Sequence, residues 1–263
     1  MARDKVIVAI DIGTSKIATL IANCGVEDTE INIIGVSITP SKGLRKGQIT
    51  DIDEVIGAIT QSIEAAERMA GYSVAKAFVS VGGAHIASQN SHGVVAVAEP
   101  EKEITASDVS RVIDAAKAVS LSSSREILHV LPRGFMVDSQ EGIKDPVGMT
   151  GVRLEVDTHL ITGGSTALRN LAKCVSEVGV DVQALVFAGM ASSEAVLTET
   201  EKELGVALID IGSGTTDICL YVDGSLAYSS VITVGAKNIT NDLAIGLRVS
   251  LESAEKIKLA LGE

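Results

Sequence analysis

The chain has 263 residues, of which 46% are hydrophobic, 21% charged and only 2% aromatic, and it carries a net charge of −12. That length and apolar content suit one large or two ordinary folded domains and exclude a disordered chain. The acidic balance, without any Lys/Arg cluster, argues against nucleic acid and against direct contact with anionic lipid.

Residues 6–12 are an apolar run that ends at Gly13, and residues 16–22 and 31–39 are further β-rich runs. With so few aromatics the core is built from Val, Ile, Leu and Ala, a mix suited to buried strands covered by helices. Residues 40–47 read as loop. Residues 51–70 read as a helix, with Asp51 and Glu54 at capping-box spacing. Val55, Ile56, Ile59, Ile63, Ala66 and Met69 form its apolar face, and Gly71 ends it. Residues 76–81 are a short buried strand.

Residues 84–162 differ in character and read as an inserted small α+β domain. Residues 85–98 are extended and 99–103 form a charged turn. Residues 105–119 form a helix with Thr105 and Asp108 at capping-box spacing, 120–124 form a polar loop, and 126–137 and 152–162 are strands. The stretch holds enough Val, Ile and Leu for a compact core of its own. Residues 165–178 then return to helix, 182–187 to strand, and 192–204 to a helix.

From Val206 the first pattern begins again. Residues 206–211 run to Gly212, and 218–222 and 225–234 are strands joined by an Asp223-Gly224 hairpin turn. Residues 236–247 follow as a helix. The βββα unit thus occurs twice, and Ile10-Asp11-Ile12-Gly13 matches Ile209-Asp210-Ile211-Gly212. This α/β architecture implies two similar halves that face each other.

The matched turns carry the chemistry. In Asp11-Ile12-Gly13-Thr14-Ser15-Lys16 a strand ends and turns on a glycine, expected at φ > 0, whose missing side chain lets a ligand approach. Successive turn amides form an anion nest, Thr14 and Ser15 add hydroxyls, and Lys16 brings a charge to phosphate. Asp11 is placed to hold Mg²⁺ through water. The second turn, with Asp210, Gly212, Ser213, Gly214, Thr215 and Thr216, repeats this layout, so two facing hairpins, each with an acidic residue, make a clamp for a polyphosphate and its metal. Near the C-terminus, Glu255 and Lys258 share one helix face. Spacing alone makes them part of a solvated helix laced with ion pairs; their distance after the second hairpin suits a ribose contact.

The remaining candidates read as structural. Cys24, Cys174 and Cys219 are odd in number, without C-x-x-C spacing, and read as buried thiols in a reducing cytosol. His85, His92, His129 and His159 lie in or beside the insert and read as structural or surface groups. Residues 1–5 lead into a strand and do not form a signal peptide, and no apolar run reaches the ~18 residues of a membrane span, so the segment is expected to be cytoplasmic.

These residues resemble a known superfamily. Asp11–Lys16 and Asp210–Asp217 look like the two phosphate motifs of the actin, sugar-kinase and heat-shock chaperone proteins, and Glu255 to Lys258 resembles the A-E-x-I-K helix that touches ribose in bacterial actin relatives. Residues 32–36, 140–148, 159–162, 187–193 and 196–198 are similar to the FtsA family of bacterial cell-division proteins, residues 140–148 most specifically. The resemblance implies an actin-like (ribonuclease H-like) fold divided into residues 1–83 with 163–204, the insert 84–162, residues 205–250, and residues 251–263 as the start of a further subdomain. It implies ATP and Mg²⁺ between the two halves, self-association into filaments, FtsZ and other division-ring proteins as partners, and a membrane tether through a C-terminal amphipathic helix. On this reading the chain is truncated before the second small domain, and no amphipathic tail is present. The insert is expected to mediate subunit contacts and to recruit later division proteins, with Lys144 and Asp145 exposed in its 142–148 loop.

Three rivals stand beside this reading: two on the same fold, and a nucleotide-free pairing module. A sugar or carboxylate kinase would use Asp210 as base and Glu194 to orient a water. A rod-shape filament protein of the MreB type is disfavoured, because that family places its extra domain elsewhere.

Overall fold

The computed structural model describes residues 5–25, 31–97 and 103–262. The expected charged turn at 99–103 lies outside them except for Glu103, as do residues 1–4. Strands β1 (Lys5–Ile12), β2 (Lys16–Cys24) and β3 (Ile31–Pro40) form an antiparallel meander. The 40–47 stretch is not plain loop. Leu44–Arg45 (β4) and Gln48–Ile49 (β5) close a small hairpin over Lys46 and Gly47, both at positive φ, as a two-residue turn matched to strand twist requires.

Helix α1 (Ile52–Ala70) follows. The Asp51 carboxylate accepts from the Glu54 N–H at its start, and Gly71 ends it in the left-handed conformation. Its buried face is Val55, Ala58, Ile59, Ile63 and Ala66. The helix lies close on β3 because Gly35 has no Cβ; one there would stand 2.7 Å from the Ala66 carbonyl oxygen. Strand β6 (Lys76–Val81) then adds parallel to β1.

The chain next builds a second sheet from β7 (Ala87–Ala96), β8 (Arg125–Val137), β9 (Gln140–Ile143) and β10 (Arg153–Gly164), in the order β7-β10-β8-β9. Helix α2 (Ala106–Lys117) covers one face, with the Thr105–Asp108 capping box fully formed. This stretch has its own core, centred on Ile104, Val112, Phe135, Leu154 and Val156. Part of the expected 140–148 loop is therefore strand, because residues 140 and 143 pair with β8.

Helix α3 (Ser165–Glu177) leads to β11 (Asp181–Phe187), which pairs parallel to β6 and completes a five-stranded sheet, β11-β6-β1-β2-β3. The single helix expected at 192–204 is two: α4 (Ala188–Val196) and α5 (Glu199–Leu204). The break is a capping box, in which the Thr198 hydroxyl accepts from the Glu201 N–H and the Glu201 carboxylate accepts from the Thr198 N–H. Strands β12 (Val206–Ile211), β13 (Thr216–Val222) and β14 (Ser225–Ile232) form the last sheet. Helices α6 (Ala236–Leu247) and α7 (Leu251–Leu261) follow it.

A polar seam joins the inserted sheet to β14. The Ser88 hydroxyl donates to the Ser229 carbonyl at 2.6 Å, the Asn90 amide to the Ala227 carbonyl at 3.2 Å, and the Ser225 hydroxyl to the Arg133 carbonyl at 3.0 Å. His159 is 1% exposed and bridges Asn90 and Ser229 through its two ring nitrogens. Burial, then the Arg133 charge, lowers its pKa to about 4, so the ring is neutral. The His129 ring accepts from the Phe187 N–H at 2.9 Å. Cys174 and Cys219 are buried thiols, while Cys24 is only half-buried, at the end of β2.

Candidate functional site

The two glycine turns have the same geometry. Gly13 N–H donates to the Lys16 carbonyl at 3.0 Å, and Gly212 N–H donates to the Thr215 carbonyl at 2.9 Å. Neither glycine is at positive φ, contrary to the expectation. Their need is for space: a Cβ at Gly13 would sit 3.0 Å from the Lys16 carbonyl oxygen, and one at Gly212 3.1 Å from that of Thr215.

The turns meet across one cleft. A Cβ at Gly214 would be 3.0 Å from Thr14 Cγ2, and the Thr14 hydroxyl accepts from the Gly47 N–H at 3.2 Å, which ties the β4–β5 hairpin to the same spot. A cavity of about 500 Å³ is lined by Asp11, Gly13, Thr14, Ser15 and Lys16 from the first turn and by Asp210, Gly212, Ser213 and Thr215 from the second. A neighbouring lobe of about 600 Å³ shares Thr14, Ser15, Gly212 and Ser213 with it and reaches Glu255 and Lys258 on α7. There the Lys258 ammonium donates to the Glu255 carboxylate at 2.7 Å and to the Thr240 hydroxyl at 3.0 Å. Lys258, then the Thr240 hydroxyl, lowers the Glu255 pKa.

Three carboxylates line the cavity. Asp11 accepts from the Ser80 hydroxyl, and Asp210 accepts from the Ser192 hydroxyl at 2.7 Å. Asp217 is 7% exposed, and its Oδ1 has no hydrogen-bond partner among the described residues. Burial raises its pKa to about 7, with Asp210 and then Asp11 adding to the shift. Among the described residues no group of three or more His, Cys, Asp or Glu side chains is spaced to hold a metal ion directly. A Mg²⁺ that keeps its water shell fits this arrangement better than a protein-caged one.

Three expected site residues do not line the cleft. Thr216 is buried and its hydroxyl donates to the Val234 carbonyl at 2.8 Å. Glu194 is on the far side of α4, where it accepts from Lys202 at 3.0 Å and does not line the cleft. Gly214 serves as a spacer against Thr14 and is not a lining residue. Ser80, Ser192 and Asp217 are cleft residues absent from the expected set. Asp217 had a signal in the motif: a turn closed between Gly212 and Thr215 places Asp210 directly opposite Asp217, and like charges in register destabilise a hairpin unless something occupies the space between them. Ser80 and Ser192 had no comparable signal, because only the sheet brings β6 and α4 beside the turns.

A family model described as the SHS2 domain inserted in FTSA matches residues 83–162, and one described as cell division protein FtsA matches residues 207–263. Curated proteins named cell division protein FtsA are 45% identical over 262 residues in Bacillus subtilis, 41% over 255 in Pseudomonas aeruginosa and 40% over 258 in Escherichia coli K12. These matches take in 97–100% of this chain.

The chain belongs to the FtsA family.

It spans about 60% of the length of these FtsA relatives. Solved structures show the fold to be actin-like. The PilM–PilN type IV pilus biogenesis complex matches with TM-score 0.70 and 14% identity, over 97% of this chain and 70% of that one. EutJ of Carboxydothermus hydrogenoformans matches at 0.56 and 14%, over 98% and 62%. MreB 5 of Spiroplasma citri bound to AMPPNP matches at 0.50 and 14%, over 98% and 62%. Among the described residues no helix is long and apolar enough to cross a membrane. This is an actin-like chain of a cell-division family.

Proposed function

We propose that the chain binds ATP with Mg²⁺ between its two glycine turns and serves as a nucleotide-dependent element of the division ring. The observation that carries this reading is the meeting of both turns on one cleft that continues to Glu255 and Lys258. Turn amides and hydroxyls suit the phosphates, Lys16 offsets their charge, and the far lobe has room for a ribose. Mg²⁺ would sit among Asp11, Asp210 and Asp217 through its waters, where it neutralises phosphate charge, and Asp217 Oδ1 would accept from a water of that shell. MreB 5, solved with AMPPNP, lends support through its fold. Asp210 remains the candidate base for slow hydrolysis, held in place by Ser192.

Family membership supports the wider role. As part of a full-length protein, the chain would act in filaments, help link FtsZ to the inner face of the cytoplasmic membrane and recruit later division proteins, with residues 84–162 as the contact module and the lipid contact made by a C-terminal amphipathic helix that is not among these residues.

Titration of the chain with Mg²⁺-ATP, followed by the thermal melt, tests the site. A ligand at 100 times its Kd raises stability by about 2.7 kcal/mol. A melt unchanged by millimolar ATP, with no binding by calorimetry, refutes the nucleotide reading.

A further inference from the structure

A second cavity, of about 290 Å³, lies behind the first glycine turn, under the β4–β5 hairpin and beside the start of α3. Its apolar wall is Ile12, Leu44, Ile49, Val81 and Leu171. His85 also lines it, and both ring nitrogens of His85 are buried without a hydrogen-bond partner among the described residues. Buried polar atoms are nearly always paired, and an orphaned donor and acceptor on one ring ask for a partner. Burial, then the Arg125 charge, lowers the His85 pKa, so the ring is neutral and offers one N–H and one lone pair. Helix α3 starts here with no side-chain cap on its N-terminus, and its first-turn residues Thr166 and Ala167 also line the space.

We infer that this cavity is a second ligand site, for a small neutral molecule with a flat apolar body and one hydrogen-bonding group that pairs with the nearer His85 ring nitrogen, of which an aryl amide is the simplest case. A mostly apolar pocket of about this size with a few convergent polar groups is the usual form of a small-molecule site. Gln48, Thr166 and Asn170 line it beside His85, and the rest of the wall is aliphatic or glycine, so an occupant with an apolar body gains a burial that water filling the same space does not. The cavity shares Ile12, Gly47 and Gly82 with the cleft between the glycine turns, and Gly47 holds the Thr14 hydroxyl. An occupant would therefore bias the position of the first turn. That coupling, unlike the site itself, rests on the nucleotide reading.

The test uses the intact chain, labelled with ¹⁵N-histidine and free of nucleotide, titrated with benzamide and separately with toluene. Benzamide is expected to shift the His85 ring nitrogens saturably with a Kd on the order of 1 mM, the range for about nine heavy atoms. Toluene, which leaves the ring atoms unpaired, is expected to bind at least fivefold more weakly. Two variants should lose benzamide binding: His85→Phe, which removes the polar pair, and Ala167→Leu, which fills the cavity and keeps the histidine. No saturable shift, equal affinity for toluene, or binding retained in both variants overturns the site. In a second arm, saturating benzamide is expected to change the Kd for Mg²⁺-ATP at least threefold, and an unchanged value overturns the coupling. Absence of ATP binding without benzamide would refute the nucleotide reading instead, and the first arm is indifferent to that result.

Discussion

The two βββα halves share a pattern and differ in what covers it. In the first, β1 is flanked by β2 and β6, and Val8, Ile10 and Ile12 are all buried. In the second, β12 pairs with β13 alone among the described residues, and Ile209 and Ile211 are 60% and 64% exposed. The helices repeat the contrast: α1 buries a full apolar face, while α6 buries only Thr240 and leaves Ile245 77% exposed. Equivalent apolar residues thus contribute to stability in one half and little in the other, because burial depends on neighbours and not on residue type. The glycine turns escape this difference. Their geometry is local and is the same in both halves.

The contrast breaks most easily in the core. Ile59→Ala on α1 should cost about 2–5 kcal/mol in urea unfolding, and Ile245→Ala on α6 less than about 0.5 kcal/mol. Comparable costs would mean that α6 is covered in solution. The next test asks whether the turns are equivalent. Gly13→Val and Gly212→Val should each weaken Mg²⁺-ATP by tenfold or more in a calorimetric titration, about 1.4 kcal/mol or above, because each adds a Cβ about 3 Å from the backbone oxygen that closes its turn, which must shift to admit it. Loss from only one variant would leave a single-turn site and sink the clamp.

A smaller effect comes from the seam between the inserted sheet and β14. His159 has a folded pKa of about 4, below the unfolded value near 6.5. Its neutral form is the one that fits, so its contribution is intact above pH 6.5 and is lost as pH falls toward 4. The chain should lose about 1 kcal/mol between pH 7.5 and 5.5 from this residue, and His159→Gln should lack that part of the slope. Identical pH profiles would show that the ring is protonated without cost. The smallest effect is at the rim. Lys144 pairs with Glu203 at 3.0 Å, with both side chains mostly exposed. Reversing charge at Lys144 and Asp145 together should change stability by less than about 0.5 kcal/mol and leave ATP affinity alone. It should weaken self-association in sedimentation with ATP. Unaltered sedimentation would remove this loop from the contact surface.

Much of the site was legible because its parts are contiguous in sequence. Both turns, their closing glycines and the Asp11 and Asp210 positions follow from strand–turn–strand patterning repeated at Ile10 and Ile209. The Thr105–Asp108 cap and the Asp223-Gly224 turn were equally local. What was misread depended on competition between local signals. Residues 192–204 read as one helix, but Thr198 with Glu201 supplies the start of a second. The β4–β5 hairpin was hidden by its two-residue strands, too short for any alternation to show.

Sequence by itself determined the duplicated βββα order, the inserted segment and the two matched glycine turns, because propensity, capping and turn chemistry act over a few residues. Only the tertiary structure decided which side chains share the cleft. It placed Ser80, Ser192 and Asp217 inside, turned Thr216 to the Val234 carbonyl, and left Glu194 outside with Lys202. It also decided that the His85 ring would find no partner among the described residues, in a cavity, while His129 and His159 found theirs. The reason is the same in each case. A side chain's partners come from strands and helices far away in the chain, and their positions follow from sheet pairing and core packing, which no local pattern encodes.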